Sequence, residues 1–104
     1  MTVNKARQAR LEERGWRFGS ADEFLGLSAD ELAYIELKLT LSDKLKAKRV
    51  SKKLTQAELA LMMNSSQSRV AKMEAGDPTV SIDLLIKSLL VLGVSKKELG
   101  RSIS

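Results

Sequence analysis

The stretch that decides the reading is TQAELALMMN, residues 55–64, followed by SSQSRVAKMEAG, residues 65–76. Thr55 and Glu58 have the spacing of a capping box, in which two side chains satisfy backbone N–H groups that a first helical turn leaves unpaired. A helix over 55–63 follows, with Leu59 and Met62 or Met63 inward. Asn64 suits a turn, because Asn tolerates the left-handed conformation better than most residues with a side chain. A second helix spans 67–75 and ends at Gly76-Asp77-Pro78. Val70 and Met73 form its inward stripe. Gln67, Ser68, Arg69 and Lys72 project from its other faces. Two helices this short cannot bury each other, so they need a platform.

The flanking sequence supplies one. Downstream, Ser81 caps a helix over 82–92 whose Leu84, Leu85, Leu89 and Leu92 make a wide apolar face, and Gly93 terminates it. Ser95 and Glu98 repeat the cap spacing before 96–103, a short helix or a fraying tail. Upstream, Ser28/Glu31 opens a long helix, and no Pro or Gly breaks it between 29 and 52. That helix is apolar on opposite sides at 100° per residue: Leu32, Ile35 and Leu39 on one, Tyr34, Leu37, Leu41 and Leu45 on the other. One side serves the C-terminal core. The other must pack on the N-terminal segment or on a second subunit, and a homodimer interface is expected there. Ser20/Glu23 opens a short helix over 21–25, ended by Gly26.

Residues 1–14 are polar and basic and read as a flexible or loosely helical arm. All four aromatic residues, Trp16, Phe18, Phe24 and Tyr34, fall between positions 16 and 34, which suggests a small satellite core. No segment alternates with period two over strand length, so the fold class is all-α; the alternative allows one short strand around 15–19. The expected organisation is an N-terminal basic arm and aromatic extension over 1–27, then a helical domain over 28–104.

Composition narrows the function. The 104 residues make one domain, with no cysteine and no histidine. That removes thiolate sites, the commonest metal ligand and the usual general base near neutral pH. Phosphate loops and nucleophile arrangements are also missing, and the acidic residues from Asp22 to Asp43 suit helix starts and solvent-facing positions. No enzyme, metal or cofactor is expected. No apolar run approaches a membrane span, and the expected location is cytoplasmic. Net charge is +5, but residues 44–76 alone carry +6 while 20–43 carry −5. A localised basic segment is the electrostatic footprint of a polyanion binder; alternatively, Lys44, Lys46 and Lys48 form only a solvated face.

The TQAELA opening, the short turn, SQSRVAKMEAG and the following Leu-rich helix together resemble the helix-turn-helix of the lambda-repressor-like family (Cro/repressor, or XRE-type) over about residues 42–94. The upstream GWRFGSADEFLGL, residues 15–27, with the Glu31–Leu45 helix, is similar to a subfamily found as HigA-like antitoxins. The resemblance implies a five-helix DNA-binding domain with an N-terminal extension. It places base-reading positions at Gln67, Ser68 and Lys72, with Arg69 reading a base or holding a phosphate. The chemistry agrees, since Gln can pair with adenine and Arg or Lys with guanine in the major groove. It also pairs Arg49 with Glu74 as a structural ion pair, and packs Ala60 against the next helix beside Ala57, Leu59 and Val70. Asn64 and Lys53 stand where the family often has Gly.

Phosphate contacts are expected from Gln56 and Ser65 at helix starts, from Ser66 unless it is spent on capping, and from Lys52 and Lys53. The function expected is a sequence-specific DNA-binding transcriptional regulator, a dimer reading a pseudo-palindromic operator on double-stranded DNA. The alternative is an antitoxin that sequesters a toxin protein through residues 1–27 and autoregulates its operon.

Overall fold

A computed structural model describes residues 5–16 and 28–103. These form six helices and no strand: α1 Lys5–Glu13, α2 Ala29–Ser51, α3 Gln56–Met62, α4 Gln67–Ala75, α5 Ile82–Val91 and α6 Lys96–Ile103. The helix expected at 21–25, the Ser20/Glu23 pair, Phe18 and Phe24 lie outside the described residues. Around 15–16, where a strand was an alternative, the backbone turns: the Trp16 N–H donates to the Leu11 carbonyl at 3.1 Å.

Helix starts follow the cap chemistry. Ser28, Ser66, Ser81 and Ser95 each accept a backbone N–H from three residues on. Thr55/Glu58 is a complete capping box. The ends follow backbone sterics. Lys53, at φ 58°, turns the chain out of α2, and Asn64, at φ 55°, turns it between α3 and α4. Gly76, at φ 77°, closes α4, and the next N–H, of Asp77, reaches back to the Lys72 carbonyl at 3.1 Å. With the Gly76 N–H donating to the Met73 carbonyl at 3.4 Å, this double return is the Schellman geometry.

The main core draws on every helix from α2 to α6. Leu41 and Leu45 of α2, Leu59 of α3, Val70 and Met73 of α4, and Leu85 and Leu89 of α5 are fully buried. α2 is the platform, packing against α4, α5 and α6, while α3 packs on α4. Within the reading segment, Leu59, Ala60 and Val70 are core, but Ala57 is exposed. Met62 is half exposed, and Met63 packs inward in its place.

A second, smaller cluster covers the other face of α2. Leu11 of α1 is buried with Leu32 and Ile35, and Trp16 and Leu39 pack on them. The N-terminal arm is therefore helical from Lys5, and its residues 11–16 are docked on the long helix. The α2 face for which a second subunit was considered is covered by the chain's own Leu11 and Trp16. Tyr34 is half exposed rather than inside the opposite face, with the Lys38 ammonium 5.7 Å from its ring centre.

Candidate nucleic-acid interface

Glu74 organises the base of the site. It closes α4, its side chain is only 3% exposed, and it accepts three side-chain hydrogen bonds. Arg49 donates through Nε and Nη2, the latter at 3.0 Å, and Gln56 donates through Nε2 at 3.2 Å. Arg49 Nη1 goes to the Leu54 carbonyl at 2.6 Å. The charge-assisted bond to Glu74 raises the Arg49 pKa against the opposing effect of burial. The α2 terminus, the start of α3 and the end of α4 are thereby tied at one carboxylate. Breaking one side of such a pair leaves an uncompensated buried charge.

With its inner stripe fixed by Val70 and Met73, α4 turns Gln67, Ser68, Arg69 and Lys72 to solvent; all four are exposed. Ser66 Oγ accepts the Arg69 N–H at 3.1 Å, so the Ser66 hydroxyl is engaged in capping. Ser66, Ser68, Arg69 and Lys72 line a groove of about 370 Å³, completed by Thr79, Val80, Ser81 and Leu84. The groove thus joins the outward face of α4 to the α4–α5 loop and the start of α5. Sequence singled out Ser81 only as a helix cap, and Thr79 not at all; only their position after a helix-ending Gly76-Asp77-Pro78 could have suggested them for this groove.

The loop is internally braced. Asp77 Oδ1 accepts from the Thr79 N–H at 2.8 Å and from its hydroxyl at 2.6 Å. The Thr79 hydroxyl bond, then the backbone bond, hold the Asp77 carboxyl below its ordinary pKa, with lesser help from Lys72 and Lys38.

A family model for helix-turn-helix proteins matches residues 45–99, just over half the chain. The chain belongs to the helix-turn-helix family. It is a DNA-binding regulatory domain of the XRE type, with α3 as the first helix of the motif and α4 as the second. Neither a curated protein nor a solved structure matches it. No described helix is long and apolar enough to cross a membrane.

The structure distributes the expected phosphate residues of this helix-turn-helix unevenly. Ser65 and Ser66 lie in the turn before α4, and Lys53 is exposed in the turn before α3. Gln56 starts α3, and its amide donates to the buried Glu74 carboxylate. Lys52 is exposed just after α2, with its ammonium 3.7 Å from where a Cβ on Gly93 would stand, at the α5–α6 turn. Lys44 and Lys48 approach Glu98 of α6 at 3.6 and 3.7 Å, which engages them within the domain.

Proposed function

We propose that this chain is a sequence-specific transcriptional regulator that reads double-stranded DNA as a homodimer. The observation that carries the reading is the α4 surface. Gln67, Ser68, Arg69 and Lys72 are all exposed on a helix whose opposite side is buried at Val70 and Met73. A polar, cation-bearing helix face of this width fits the major groove. Gln67 and Lys72 read base edges, and Ser68 and Arg69 flank them. The groove between α4 and α5 receives the adjoining phosphates, with Ser66, Thr79 and Ser81 on its walls and Lys53 and Ser65 further along the backbone. Two copies set one helical turn apart read a pseudo-palindromic operator.

The toxin-sequestering alternative rests on residues 1–27 being surplus to the DNA-binding core. Among the described residues of that segment, Leu11 and Trp16 pack in the smaller cluster on α2, and Arg14 and Trp16 donate to carbonyls at the end of α4, so these three are engaged within the chain.

Binding-site selection on random duplexes at two salt concentrations tests the reading. Wild type should recover a two-fold site, and Gln67→Ala with Lys72→Ala should lose preference at defined positions, each base worth about 1–3 kcal/mol. A uniform drop across all sequences makes these residues phosphate anchors only. Sedimentation of the protein–operator complex at a stoichiometry of one chain per site rejects the dimer.

A further inference from the structure

We propose that Arg14 and Trp16 are positioning residues for the DNA-reading helix, acting at its C-terminal end from a segment that lies outside the helix-turn-helix. The proposal rests on the reading of α4 given above.

Three side chains from two separate segments converge on carbonyls at and just beyond the end of α4. Arg14 Nε donates to Ala75 O at 3.0 Å. Trp16 Nε1 donates to Gly76 O at 3.1 Å. Lys38 Nζ donates to Pro78 O at 3.2 Å and lies 5.2 Å from the Trp16 ring centre. Arg14 is itself held by Asp43 of α2 at 2.8 Å. Arg14 satisfies a carbonyl that the helix end leaves unpaired, Trp16 and Lys38 pair carbonyls of the turn beyond it, and the two cations complement the negative end of the helix dipole.

The arrangement has consequences at the other end of α4. From Ala75 to Gln67 the helix runs about 12 Å at its ordinary rise. A tilt of about 10° therefore displaces Gln67 by about 2 Å, more than a hydrogen bond to a base edge tolerates. Arg49 anchors α4 from one side through Glu74. The buried Val70 and Met73 hold its inner face, and Arg14 and Trp16 add a second polar anchor at its C-terminal end that limits the remaining tilt. Neither residue contacts DNA.

Two conservative changes test this. Trp16→Phe keeps a ring against Leu11 and Lys38 and removes the Nε1–H. Arg14→Lys keeps the charge and removes the Nε–H. Fluorescence anisotropy with the selected operator and a scrambled duplex of equal length, across a salt series, gives affinity, preference and salt slope. Amide exchange by NMR reads the α4 terminus without DNA. The double variant should bind operator about tenfold more weakly, with scrambled-duplex affinity and salt slope unchanged. The Asp77 N–H, bonded to Lys72 O, should exchange faster while amides at Leu41 and Leu89 hold.

Unchanged operator affinity, equal weakening on both duplexes, a slope lowered by a lost cation contact, or unaltered Asp77 protection each overturn the proposal. A wild type that does not distinguish operator from scrambled DNA sinks the function itself, and this shows before any variant is measured.

Discussion

Arg49, near the C-terminal end of α2, spans the buried Glu74 carboxylate at the end of α4 with two parallel donors, Nε to Oε2 and Nη2 to Oε1. The Arg49 side chain is 12% exposed and that of Glu74 3%, so the charges are removed from water and depend on each other. Arg49→Ala should destabilise the fold by about 3–5 kcal/mol, because it strands Glu74. Replacing both by Met and Leu should cost much less than the single change. Urea denaturation of the two variants checks this, and a double variant no more stable than Arg49→Ala contradicts it.

Lys53 separates stability from binding. Its left-handed backbone at φ 58° costs an L-residue roughly 1 kcal/mol, so Lys53→Gly should stabilise the domain by about 0.5 kcal/mol after the greater flexibility of Gly in the unfolded chain is offset. The same change removes an exposed cation, and the log–log salt slope for DNA should shrink by about 0.9. Thermal melts and binding isotherms should move in opposite directions. A fall in both would assign Lys53 a packing role that the structure does not show.

Gly76 sits where a side chain has neither conformational nor spatial room. Its φ is 77°, and an added Cβ would overlap the Leu39 side chain and stand 3.0 Å from Arg14 Nη2. Gly76→Ala should cost about 2 kcal/mol and loosen α4. Gly100, where a Cβ meets nothing within 4 Å, provides the control; Gly100→Ala should leave stability unchanged or raise it. Equal melting temperatures for the two variants would contradict the prediction.

Acid should weaken the fold through two capped carboxylates. The Thr55 backbone N–H, then its hydroxyl, hold Glu58 below its ordinary 4.5, and the Thr79 hydroxyl, then its backbone N–H, hold Asp77 below 3.8. The folded chain thus binds fewer protons than the unfolded one in this range. Their contribution is complete above the ordinary values and is lost as pH falls through the lowered ones. Urea midpoints from pH 6 to pH 2 should fall less steeply for Glu58→Gln and Asp77→Asn than for wild type. Parallel curves for all three proteins count against the assignment.

Much of this molecule is legible locally. The caps at Ser28, Thr55, Ser66 and Ser81 and the stop at Gly76 mark helix ends because each is a contact between residues two to five apart. The inward stripe of Val70 and Met73 follows from helical period alone, which leaves Gln67, Ser68, Arg69 and Lys72 outward. Three features were decided elsewhere. Gln56 turns to Glu74 because folding brings a buried carboxylate within reach of its amide, 18 residues away in sequence. Ala57 and Tyr34 are exposed where helical period alone left their surroundings open. The N-terminal arm docks at the end of α4 because Leu11 buries against Leu32 and Ile35, and Arg14 and Trp16 then meet carbonyls some 60 residues on. Periodicity encodes which side of a helix is apolar; which partner covers that side depends on loop closure and packing, and these exist only in the assembled chain.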